Sequence, residues 1–186
     1  MNKKVAIAIS TKNRSEYIIG LLRYYARIES QHTIYIGDAS DPHHIEKLIP
    51  VIKSLKNNIN VVHKQYPEYC RGAIDTGITV KQLLEIIVEE FVVISGDDDF
   101  FIPRSLDNCV NFLETNPNYS SAHGFGRFIH YDEDRGTSII SGSYNINEYQ
   151  GTSGAERIKM LMNNYSMLCY SVQRKEIFMK TYKNVE

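Results

Sequence analysis

The stretch "FVVISGDDDFFIP", Phe91 to Pro103, sets three carboxylates side by side directly after an apolar run. Phe91 to Ser95 is short and rich in β-branched residues, as in a strand buried on both faces. Two carboxylates about 5 Å apart repel by roughly 3 kcal/mol at an effective dielectric near 20, so a cluster held in place needs a cation or a proton. A hard divalent cation, Mg2+ or Mn2+, meets that need through oxygen ligands, and magnesium is typically held by one or two carboxylates together with phosphates of a bound molecule. Asp97, Asp98 and Asp99 are therefore candidate metal ligands. A solvated turn is the simpler alternative, but it has no need of a buried strand before it and "FFIP" after it.

Outward from this segment, the first half of the chain alternates two periods. Val5 to Ser10 reads as strand, and "SEYIIGLLRYYARI" puts Ile18, Leu22, Tyr25 and Ile28 on one helical face with Ser15 as its N-cap. "HTIYIG" is strand, residues 43–56 helix, "INVVHK" strand and "DTGITVKQLLEIIVEE" helix. Strands alternating with helices predict an α/β fold with a mainly parallel central sheet and helices on both faces. Past Pro103, Leu106, Cys109, Val110 and Leu113 share a face of a helix that ends at Asn116-Pro117.

The remainder is less regular. "SSAHGFGRFIHY" and "SIISG" read as partner strands around the turn "DEDRGT". Ser153 and Glu156 stand at capping-box spacing before Ile158, Leu161 and Met162. "MLCYSVQ" reads as a last strand and "RKEIFMKTY" as a short helix. With no repeat and no Pro/Gly/Ser linker, the 186 residues read as a single domain.

A net charge of -1 leaves no basic footprint for nucleic acid. Cys70, Cys109 and Cys169 are odd in number and widely spaced, which points to a reducing compartment and away from a disulfide framework or a cysteine zinc site. No apolar window reaches membrane-spanning length, because Glu85, Glu89 and Glu90 break the longest one. The N-terminus reads as a first strand and not as a signal peptide. A cytoplasmic location is expected, with attachment to a membrane-bound partner left open.

In open α/β sheets, ligands bind beyond the carboxyl ends of the strands. The second strand ends at "GDAS", where Asp38 offers an acceptor with Asp41 close behind, and the first ends at "STKNR", where Thr11, Lys12, Asn13 and Arg14 offer donors. Donors, an acceptor and a metal site on neighbouring strand tips are the set a nucleoside diphosphate requires.

In their order and spacing, "STKNR" at 10–14, "GDAS" at 37–40 and "GDDDFFIP" at 96–103 resemble the "PTYNR", "DDGS" and "DxD" segments of family 2 glycosyltransferases. The resemblance covers about residues 1–115. It implies the GT-A fold of the nucleotide-diphospho-sugar transferases, with residues 1–115 as the nucleotide-sugar half and 116–186 as an incomplete acceptor-side half. It further implies sugar transfer, with inversion, from a nucleotide-diphosphate donor to a hydroxyl acceptor on a glycan or a lipid-linked glycan. Thr11, Asn13, Arg14, Asp38, Arg71 and Asp97 would then contact the nucleotide, and Asp97, Asp98 and Asp99 would hold Mn2+ or Mg2+. Ser10, Gly37 and Gly96 depart from the family's usual Pro, Asp and Asp.

"YSVQRKEIFMKTYKNVE" resembles the family's "RREVLEEVGGFDE" segment, which implies a catalytic base just past Glu186. Asp132, Glu133 and Asp134 are possible substitutes, although a hairpin turn accounts for them. Two other readings fit the same motifs. One is a nucleotide-sugar-binding domain without transfer, and the other a sugar-phosphate nucleotidyltransferase, whose Gly-rich loop "STKNRSEY" lacks. The six histidines read as solvent-facing or capping, and most of the 13 tyrosines and seven phenylalanines as core. "GTSG" at 151–154 reads as an N-cap.

Overall fold

The computed structural model describes residues 4–66, 73–132, 134–144 and 146–183. In chain order they form β1 (Val5–Thr11), α1 (Ser15–Arg27), β2 (Thr33–Asp38), α2 (Pro42–Leu55), β3 (Val61–Gln65), α3 (Ala73–Ile86), β4 (Phe91–Ser95) and α4 (Pro103–Thr115). There follow β5 (Ser121–Ala122), β6 (Gly126–Asp132), β7 (Thr137–Tyr144), α5 (Gly154–Asn163), β8 (Val172–Arg174) and α6 (Lys175–Thr181). Two compact units result, one running to Ala122 and resuming at Ser171, the other spanning His123–Tyr170.

The first unit carries a six-stranded sheet in the order β3-β2-β1-β4-β8-β5. β1 to β4 pair in parallel, β8 runs antiparallel to β4, and β5 antiparallel to β8. The alternation "VAIAI" in β1 sorts the two faces. Val5, Ile7 and Ile9 pack with Ile18, Leu21, Leu22 and Tyr25 of α1, Leu48 of α2, and Leu106, Val110 and Leu113 of α4. Ala6 and Ala8 face Val80, Leu83 and Leu84 of α3 and Phe178 of α6. Small side chains on this face let α3 lie close to the sheet. At Gly37 a Cβ would fall 2.3 Å from Thr79 Cγ2, so α3 has taken the space of a side chain there.

The β4-to-α4 connection is held from below by α1. Tyr25 is fully buried, and its hydroxyl accepts from the Phe101 amide at 3.0 Å. Tyr24 donates to the Phe101 carbonyl at 3.1 Å and packs edge-on against Phe100. His32, expected to face solvent, is instead buried at 2% exposure. Its Nδ1 accepts from the Val5 amide at 3.1 Å and its Nε2 lies 3.3 Å from the Pro103 carbonyl. This arrangement suits a neutral ring, and burial pushes the His32 pKa down from 6.5, against smaller upward pulls from Pro103 and Asp107.

Several local expectations are corrected. Ser15 is the first helical residue and Arg14 the N-cap. The Ser15 hydroxyl pairs with His44 at 2.9 Å instead. Ile28 lies past the last turn of α1 and is exposed. The strand expected over 120–131 is split into β5 and β6 by residues 123–125, which include Gly124, and the Tyr144 ring covers Gly126 at the start of β6. The strand expected over 167–173 shrinks to β8. Arg174 there donates to the Tyr119 carbonyl at 2.9 Å and to the Leu113 carbonyl in the last turn of α4 at 2.5 Å, which ties β8 to the end of that helix.

In the second unit β6 and β7 form an antiparallel hairpin with a register shift at Phe128/Ile129. The capping box of Ser153 and Glu156 is present, with the Glu156 amide donating to Ser153 Oγ at 3.2 Å. Ile158 and Met162, which follow it, are exposed.

Gly37→Ala is expected to lower stability by about 1–3 kcal/mol through overpacking against Thr79. Adding Thr79→Ser, which deletes the offending methyl, should restore most of the loss in chemical denaturation; an additive double mutant would refute the contact. Because the folded His32 pKa lies below the unfolded one, the unfolded chain takes up the proton first, and stability falls as pH drops below 6.5. His32→Gln should flatten the dependence of Tm on pH in that window.

Candidate functional site

The sheet reverses its order between β1 and β4, and the crevice beyond their carboxyl ends is where such sheets take ligands. Register brings the candidate residues to this edge, with Thr11 opposite Asp38 and Ile9 opposite Ser95. Past these pairs Thr11 Oγ1 donates to Asp97 Oδ2 at 2.7 Å. The turn after β1 needs a left-handed residue, which Asn13 supplies at φ 56°. Its amide donates to Ser40 Oγ at 2.7 Å, its Nδ2 to Asp41 at 2.9 Å, and its Oδ1 accepts from the Asp41 amide at 2.8 Å. Asn13 thus ties the β1 loop to the β2 loop.

Arg14 extends from that turn to two carboxylates. Its Nε lies 3.1 Å from Asp97 Oδ1 and its Nη2 2.6 Å from Asp98 Oδ2. Asp97 is 7% exposed. Burial pushes its carboxyl pKa up, and the Thr11 hydrogen bond and the Arg14 charge offset this only in part. Asp38 is 1% exposed and also resisted by burial, yet its pKa lies below the ordinary 3.8. The hydrogen bonds from His63 Nε2 at 2.8 Å and the Ser40 amide at 2.9 Å outweigh the desolvation.

The structure therefore brings together Thr11, Asn13, Arg14, Asp38, Asp97 and Asp98. Lys12 is exposed. Arg71 lies outside the described residues. Asp99 is half-buried, and among the described residues no group of three or more His, Cys, Asp or Glu side chains converges to hold a metal. Gly96 has a steric reason: a Cβ there would meet Asp99 Oδ2 at 2.5 Å and Asp98 Oδ1 at 3.1 Å. Asp132 accepts from the Arg135 amide at 3.1 Å and pairs with its side chain, as expected of a turn, while Glu133 and Glu186 lie outside the described residues. His63 escaped the sequence reading because nothing at its own position marks it; only the pairing of β3 with β2 brings it to Asp38.

The donor set fits a hard divalent cation. Asp97 and Asp98 offer carboxylate oxygens, the donor type such an ion takes, and Arg14 already sets a positive group against both.

No family model and no curated protein matches the chain. Solved structures do. S. aureus TarS 1-349 superposes with a TM-score of 0.59 at 14% identity, covering 96% of this chain and 49% of that one. A mannosyltransferase from Pyrobaculum calidifontis, PcManGT, in complex with GDP-Man and Mn2+, gives 0.52 at 18% identity over 65% of this chain and 35% of that one. Mannosyl-3-phosphoglycerate synthase from Rubrobacter xylanophilus gives 0.51 at 14% identity over 95% and 54%. The chain has the GT-A fold. It spans between a third and just over a half of the length of these GT-A neighbours. Among the described residues of this GT-A chain, no helix is long and apolar enough to cross a membrane.

Asp97→Asn keeps an acceptor for Thr11 and removes a charge that burial disfavours. Thermal melts without metal should show a Tm equal to or above that of the parent; a clear drop would mean that the Arg14 ion pair outweighs the desolvation.

Proposed function

We propose that the chain binds a nucleotide-diphosphate sugar at the tips of β1, β2 and β4 and that it serves a glycosyltransferase acting, with inversion, on a hydroxyl acceptor. The observation that carries this reading is the convergence of Thr11, Asp38 and Asp97 on one sheet edge at the point where strand order reverses. The GT-A fold and the Mn2+ and GDP-Man in the PcManGT complex support it.

Each group has work that suits its surroundings. Asp38, held ionised by His63 and Ser40, accepts from the base or ribose of the nucleotide. Asn13 keeps the two loops at a fixed separation so that the nucleoside meets a preformed cleft. Asp97 and Asp98 would hold Mn2+ or Mg2+, whose positive charge stabilises the leaving diphosphate. Arg14 puts a guanidinium beside that diphosphate, in a geometry suited to phosphate oxygens. Inverting transfer also needs a base in reach of the acceptor hydroxyl, and none is assigned.

Calorimetry with Mn2+ and a panel of nucleoside diphosphates, GDP first, tests the proposal. At least one diphosphate should bind in the micromolar range, and Asp98→Ala should weaken it by about tenfold or more, equivalent to about 1.4 kcal/mol. Absence of binding across the panel, or a full affinity in Asp98→Ala, would overturn it.

A further inference from the structure

The Arg14 guanidinium occupies the region between the carboxylates that would hold the metal. Thr11 takes Asp97 Oδ2, so the oxygen left to face a ligand is Oδ1, and that is the atom Arg14 approaches at 3.1 Å. The same guanidinium reaches Asp98 Oδ2 at 2.6 Å. A cation binding Asp97 and Asp98 together has to displace it.

The two contacts differ: Nη2 donates a directed hydrogen bond to Asp98, whereas the approach to Asp97 lacks one. Arg14 Nε is buried with no aligned hydrogen-bond partner, so its hold on Asp97 is one of charge and not of direction. Its Cζ also lies 4.1 Å from the centre of the exposed Tyr17 ring, a second favourable contact outside the carboxylates.

Resting on the nucleotide-sugar reading, we propose that Arg14 is an internal counter-ion that holds the cation position of Asp97 and Asp98 in the nucleotide-free chain and yields it when metal and diphosphate arrive together. A lone divalent ion must evict the guanidinium and then tolerate it as a neighbour of like charge. A metal carrying a diphosphate brings negative charge for Arg14 to turn to. Metal and diphosphate therefore bind cooperatively, and each raises the affinity of the other by the same factor. Arg14 acts as a positioning residue in this scheme.

The test titrates the chain with Mn2+ alone, following the spin-resonance signal of the free ion, and then repeats the titration with inorganic pyrophosphate, corrected for the ion's own pyrophosphate complex. Arg14→Gln should bind Mn2+ alone about tenfold more tightly than the parent, and pyrophosphate should strengthen its Mn2+ binding less. Arg14→Lys, whose compact ammonium cannot span both carboxylates, should fall between them. It carries the test if the Gln variant does not fold. A Mn2+ affinity in the variants equal to or weaker than the parent's would overturn the role of Arg14 and leave the nucleotide site standing. Failure of every chain to bind Mn2+, with or without pyrophosphate, would overturn both.

Discussion

The site depends on a carboxylate that the fold buries without fully compensating it. Asp97 follows the central strand β4, lies 7% exposed, and is met by the Thr11 hydroxyl, its own amide and the Arg14 guanidinium. The rest of the first unit explains how that side chain is kept there. β1 and β4 run side by side at the centre of the sheet, α1 tyrosines fix the backbone just after the acidic triplet, and α4 starts from a turn tied to His32. A group held in this way is disfavoured as an isolated charge and favoured as one ligand of a cation.

Asp38 shows the opposite balance on β2, which flanks β1 on the side away from β4. It is buried more deeply, yet His63 and Ser40 supply enough hydrogen bonding to keep it ionised. Two aspartates at strand tips on either side of β1 thus have different electrostatic settings: hydrogen bonds within the protein hold one ionised, while burial disfavours the charge of the other. The proposed nucleotide site uses that division, and Asn13 ties the β1 loop to the β2 loop beside it.

Much of the first unit was legible in the sequence because its strands and helices bury themselves with strong periodicity. The β-branched runs at Val5 and Phe91 and the face of Ile18, Leu22 and Tyr25 leave little choice. The bounds of the short strands β5 and β8 did not read out, since they are two and three residues long and are made by pairing, with no local preference to announce them. In the site, Thr11, Asp38 and Asp97 could be placed from their positions at strand ends. His63 could not, because its role comes from β3 lying beside β2. The contact of Arg14 with two carboxylates was equally invisible, since it joins residues 83 and 84 positions apart, as the numbering of Arg14, Asp97 and Asp98 shows. Gly37 and Gly96, read as departures from a motif, are explained by packing against Thr79 and by the space the acidic triplet occupies.

The central claim is that Asp97 and Asp98 seat a divalent ion with a diphosphate beside Thr11 and Asp38. Amide NMR of the labelled chain, with Mn2+ added in substoichiometric amounts in the presence of a nucleoside diphosphate, tests it most directly, because the ion broadens resonances close to where it sits. The account predicts loss of signal first at residues 11–14, 38–40 and 96–99. Broadening centred on the Asp132–Asp134 turn, or spread evenly over the surface, would contradict it.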